Sequence, residues 1–160
     1  MKKYIWAAVL FVAAAVLNGS APRWLAIMGG KPDFLLTVAI LYSGACGTVA
    51  GGFLGFVAGL ISGGLTGTCL GTFLFTRTAV CAAAGSLKEY LFGDTPLVPS
   101  VSVFVFTLLA ETVFLLANPP ARPDAAFRAV LGEAILNTLF ALVGYTIYLH
   151  IAARGKDTLR

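Results

Sequence analysis

Glycine recurs at every fourth position from Gly47 to Gly71, through Gly51, Gly55, Gly59, Gly63 and Gly67. Between them stand Phe53, Leu54, Phe56, Val57, Leu60, Ile61 and Leu65, and no charge. In a water-soluble helix each such glycine costs about 1 kcal/mol relative to alanine. In a bilayer the spacing is useful, because bare backbone lets a neighbouring helix approach and pack by van der Waals contact. Composition favours the second setting: 59% of the 160 residues are apolar and 11% charged, against about 25% charged in a soluble domain. The chain reads as an all-α integral membrane protein, a single transmembrane domain built as a bundle of about six helices. The formal charge of +4 is no nucleic-acid signal, since the basic residues form no continuous patch.

Six spans are expected, over residues 4–21, 33–43, 46–62, 70–91, 97–116 and 125–153. The first begins after Lys2 and Lys3 and reads as a retained span rather than a cleaved leader. The connection from Pro22 to Lys31 is greasy and suits the interface, where Trp24 is favoured. Pro32 and Asp33 open the second helix. A single helix over 34–62 would run about 43 Å, longer than a hydrocarbon core of about 30 Å. A break at Ser43-Gly44 divides it, and the short second span then borrows the Met28–Lys31 region. If 33–62 were instead one bent span, five crossings would result. Gly93 is a helix stop, Asp94 lies in a turn and Asp124 caps the last helix.

Six spans place both termini on one side, with Lys2, Lys3, Lys88, Arg154, Lys156 and Arg160. Arg23, Lys31, Arg122 and Arg128 fall on the other. This bias puts the termini in the cytoplasm.

Three ionisable residues lie within spans: Arg77, Glu111 and Glu133. Counted from the nearest helix ends, each sits about 7–11 Å inside the same boundary. A lone charge there costs about 2.5–3.5 kcal/mol, so such groups face the bundle and pair. A buried cluster of Arg77 with Glu111, Glu133 or both is expected. It is read as an ion pair fixing the fourth to sixth helices; the alternative is a proton or substrate site. Glu133, Asn137, Ala141, Gly144 and Tyr148 share one face of the last helix, with Glu133 and Asn137 expected to make internal contacts.

The glycines divide. A four-residue step advances about 400°, so a straight row drifts about 40° per step. Gly47, Gly51, Gly55 and Gly59 are therefore expected to form a packing or partner face on the third helix. Gly63, Gly64 and Gly67 supply a turn, and Gly71 starts the fourth helix. Cys46, Cys69 and Cys81 read as small buried hydrophobes. His150 is the only histidine, so no metal set, cofactor or catalytic base is expected, and the chain reads as no enzyme.

Certain motifs resemble a known family. Pro32-Asp33-Phe34-Leu35-Leu36 opens the second span. Gly55-Phe56-Val57-Ala58-Gly59-Leu60 precedes Leu70-Gly71, and later come Ala84-Gly85-Ser86-Leu87-Lys88-Glu89 and Asn137-Thr138-Leu139. Their order resembles the rod shape-determining protein MreD family. Gly63 and Cys69 depart from it, standing about where members carry an Asp and a Pro; Arg77-Thr78 falls where some carry a basic residue and Thr. The resemblance implies a non-enzymatic subunit of the bacterial cell-elongation and peptidoglycan-synthesis complex, in the cytoplasmic membrane. Its implied partner is a single-pass MreC-like protein, and through it MreB, RodA and its penicillin-binding transpeptidase. The family's fold looks similar to the six-helix substrate-binding subunits of energy-coupling-factor vitamin transporters. That likeness supplies the alternative of a small-molecule-binding membrane subunit.

Overall fold

The shortest of the long helices holds the centre. The computed structural model describes the backbone of residues 2–20, 22–91 and 95–157. Its helices are α1 (Lys2–Ser20), α2 (Phe34–Cys46), α3 (Thr48–Thr66), α4 (Leu70–Ser86), α5 (Lys88–Leu91), α6 (Leu97–Ala117) and α7 (Pro123–Asp157), with a 3-10 turn over Arg23–Leu25. Ala21, Gly93, Asp94 and Arg160 lie outside the described residues, as do the side chains of Lys2, Lys3, Arg23, Arg154 and Lys156. By length and composition, Thr48–Thr66, Leu97–Ala117 and Pro123–His150 can each cross a membrane, and Val9–Ser20 and Phe34–Cys46 are shorter apolar helices.

α2 is apolar all round, the pattern of a helix buried on every side. It touches α1, α3, α4, α5, α6 and α7. Leu35, Leu36, Ala39 and Ile40 form the core with Val80, Cys81 and Ala84 of α4 and Val103, Phe106 and Ala110 of α6. With 13 residues, α2 is about 20 Å long, short of a core of about 30 Å. The missing length is not recovered as helix from Met28–Lys31. Instead the connection folds into a tight hairpin, with Ile27 and Gly30 exchanging backbone hydrogen bonds of 3.0 and 2.9 Å. Met28 (φ 55°) and Gly29 (φ 88°) turn it, two positive φ values in succession as a type I′ turn requires.

The hairpin lies directly on α7. A Cβ on Gly30 would strike the carbonyl oxygen of Ala129, and one on Gly132 would strike that of Ile27. Two glycines thus bring two backbones together, one from the connection and one from a helix.

α2 and α3 meet at Gly47 (φ 94°), not at Ser43-Gly44. Ser43 is buried and donates to the Ala39 carbonyl, which keeps α2 helical there. Gly47 is therefore the joint rather than part of α3. The packing face still includes the Gly47 backbone, which a Cβ on Gly85 of α4 would strike at 2.6 Å, and it extends through Gly51, Gly55 and Gly59 to Gly63. A Cβ on Gly51 would lie 2.6 Å from the Cys81 carbonyl oxygen, one on Gly59 2.6 Å from that of Phe73, and one on Gly63 2.6 Å from Leu70 Cδ1. The partners descend as the glycines ascend, so α3 and α4 run antiparallel. They pack along a four-residue ridge, and ridges of this kind lie oblique to the helix axis and follow a crossing neighbour round. That geometry absorbs the drift expected of a straight row.

Gly63 and Gly64 accordingly stand inside α3, whereas Gly67 (φ 68°) ends it. The face is filled by α4 and presents no groove to a partner. α4 itself stops at Ser86, whose hydroxyl donates to the Ala83 carbonyl. Asp124 lies in the first turn of α7 behind Pro123, and its carboxylate meets Arg128 at 2.9 Å. Only Cys81 of the three cysteines is buried; Cys46 and Cys69 are exposed at helix ends.

Gly55→Leu and Gly59→Leu should each destabilise the bundle by about 3 kcal/mol or more, at the upper end for an overpacked contact. Gly64→Ala and Gly71→Ala, where nothing lies within 4 Å of the added Cβ, should change unfolding little. Gly67→Ala should cost about 1 kcal/mol through its left-handed backbone. Thermal unfolding in detergent, followed by circular dichroism, measures all five.

Candidate functional site: a buried polar network at the head of the second helix

Because α2 is short, its N-terminus begins inside the bundle. Its first N–H groups have no intrahelical acceptor, and in hydrocarbon each unsatisfied group costs several kcal/mol. Side chains from three elements supply the acceptors. Asp33 N–H donates to Asn137 Oδ1 at 2.8 Å. Phe34 N–H donates to Asn18 Oδ1 at 2.9 Å. Leu36 N–H donates to Asp33 Oδ1 at 2.8 Å, which makes Asp33 the N-cap. Asn18 Nδ2 also donates to Asp33 Oδ1 at 2.9 Å, and Asn137 Nδ2 donates to Thr107 Oγ1 at 3.3 Å.

The remaining oxygen of Asp33 takes the cation. Arg77 Nη1 lies 2.6 Å from Asp33 Oδ2, and both side chains are less than a tenth exposed. Arg77 Nη2 lies 3.8 Å from Glu111 Oε1, a looser contact. The guanidinium carbon sits 5.1 Å from the Phe73 ring centroid, and Phe73 in turn packs on Phe114 at 4.5 Å. Arg77 Nε has no hydrogen-bond partner among the described residues. One network thus joins α1 (Asn18), the head of α2 (Asp33), α4 (Arg77), α6 (Thr107, Glu111) and α7 (Asn137).

The glycine face positions the cation. A Cβ on Gly55 would strike the carbonyl oxygen of Arg77 itself. The bare backbone of α3 therefore seats the turn of α4 that carries the guanidinium.

Of the residues expected to cluster, Arg77, Glu111 and Asn137 come together, with Asp33 as the principal partner. Glu133 makes no ion pair among the described residues; its backbone nitrogen lies under Gly30 of the hairpin. Glu133 lies one turn from Asn137 on the same face of α7, and its carboxylate is near enough to act electrostatically on Arg77, Glu111 and Asp33 without a direct ion pair among the described residues. Asp33 was read only as opening the second helix, at its positive end, and not as a partner for Arg77. Asn18 was legible only as a residue at the end of a span. Along the stripe on α7, Asn137 and Ala141 are buried, while Gly144 and Tyr148 are exposed. Among the described residues, no group of three His, Cys, Asp or Glu side chains is placed to hold a metal.

The residues that meet here include Pro32-Asp33, Arg77 and Asn137, which belong to the motifs noted above. A family model for the rod shape-determining protein MreD matches residues 2–151. The chain belongs to the MreD family. It is a rod shape-determining protein of the multi-pass membrane type. Among curated proteins and solved structures, no match was found.

Breaking a buried ion pair costs about 3–5 kcal/mol, so Asp33→Asn and Arg77→Gln should each destabilise on that scale. The double variant should lose about 1–3 kcal/mol less than the sum of the two. Glu111→Gln, at 3.8 Å and part exposed, should cost less than either. Thermal unfolding in one detergent, read as a double-mutant cycle, gives the coupling.

Proposed function

We propose that the chain is a non-enzymatic scaffold of the bacterial cell-elongation complex, embedded in the cytoplasmic membrane and holding an MreC-like single-pass protein. Through that partner it meets the MreB filament, RodA and its transpeptidase. One observation carries this reading: the polar side chains that meet around Asp33 and Arg77 mostly hold helices to one another, with Arg77 Nε and Thr78 Oγ1 left without a hydrogen-bond partner among the described residues. Asn18, Asp33, Thr107 and Asn137 bond within the network, and Arg77 is committed to Asp33. Two open surface grooves are apolar, and neither is lined by Trp24, Arg77, Glu111 or Glu133. A frame of this kind acts through its outer surface.

That surface is not the glycine face of α3, which α4 fills. The face of α7 around Gly144 suits a partner helix better. Nothing lies within 4 Å of the place a Cβ would take at Gly144, and Val143, Ile147 and Tyr148 are exposed beside it.

The reading includes six crossings with both termini in the cytoplasm. A reporter fused at the C-terminus should therefore signal from the cytoplasm; a periplasmic signal overturns the topology. Coexpression with an MreC-like protein should give a complex that survives purification. Gly144→Leu should weaken it, while Gly64→Leu should leave it intact. Stable isolation of the chain alone with a bound small molecule would overturn the scaffold reading in favour of a transporter-like binding subunit.

A further inference from the structure

A second feature of the molecule lies away from the network, where α6 passes into α7. Leu115 and Leu116 at the end of α6, Pro119 and Pro120 in the connection, and Pro123 and Phe127 at the start of α7 line an open groove of about 390 Å³ with Thr112. The lining is suited to hydrocarbon. Its prolines carry no backbone N–H, so that wall offers no donor left without a partner. Leu116 and Phe127 are well exposed.

A cation stands beside the lining residues in the chain. Arg122 stands between Pro120 and Pro123, exposed and without an ion pair among the described residues. Asp124, the nearest acidic side chain in sequence, is held by Arg128 at 2.9 Å and leaves Arg122 unneutralised. Lys31 is also exposed, next to the hairpin that docks on α7 at Ala129 and Gly132. An apolar trough with an unpaired cation between two of its lining prolines in the chain, at the end of two long apolar helices, complements a molecule with a hydrocarbon tail and a negative head.

We propose that this groove binds an anionic phospholipid, with one acyl chain along Leu115, Leu116 and Phe127 and the phosphate at Arg122. A zwitterionic lipid fits the trough equally well but gains less from the cation, so headgroup charge sets the preference.

The test uses the full chain in nanodiscs holding equal phosphatidylglycerol and phosphatidylcholine with matched acyl chains. Native mass spectrometry then counts the lipids retained. The wild-type protein should retain phosphatidylglycerol over phosphatidylcholine by about fivefold, the scale of one basic residue at an anionic head. R122Q should abolish that preference and R122K should keep most of it. Thr112→Trp, which fills the trough, should lower retention of both lipids. Arg122 and Thr112 are exposed, so the variants should elute and show helical dichroism as the wild type does. Equal retention by the wild type, or an unchanged preference in R122Q, overturns the proposal. So does full retention in Thr112→Trp. A dimer that Thr112→Trp abolishes would assign the groove to a second copy of the chain and likewise overturn it.

Discussion

A helix that starts inside a packed bundle must find acceptors for its first amides where there is no water. In this protein that requirement falls on α2, and much of the interior is arranged to meet it. Asp33 caps its own helix through one carboxylate oxygen and draws Arg77 with the other. Asn18 and Asn137 come from helices more than a hundred residues apart in the chain and close on adjacent amides. The positive end of a helix favours a carboxylate, and the carboxylate favours a guanidinium. Each group makes the next less costly to bury.

The glycine face belongs to the same arrangement. Had α4 stood off by the thickness of a side chain, Arg77 would stand off with it. Instead, Gly55 meets the Arg77 carbonyl and Gly51 meets that of Cys81. In a membrane, where neighbouring lipid is as apolar as leucine, close backbone approach is among the ways helices hold together. Here it also sets where a buried charge comes to rest. Gly30 and Gly132 do the equivalent for the hairpin, which fills the space above the short helix.

Spacing and charge made part of this legible from the amino-acid sequence. The four-residue glycine period pointed to a close helix contact, and the isolation of Arg77 in an apolar tract pointed to a buried partner. The identity of that partner was not readable. Counting depth from helix ends assumes that helices begin at the rim of the bundle, and α2 begins within it. Asp33, read only as opening the second helix, was left out of the depth count, which held Glu111 and Glu133 alone. The division between Gly63 and its neighbours was misjudged for a related reason: a straight helix was assumed, whereas α3 follows α4 obliquely.

The central position of α2 has a consequence for how the protein is made. The residues that accept from its first amides leave the ribosome in order: Asn18 first, then Asp33, and Asn137 only near the end. Until α7 is synthesised, the amide of Asp33 lacks its native acceptor. That one amide of the central helix therefore gains its native partner only when the last long helix is in place.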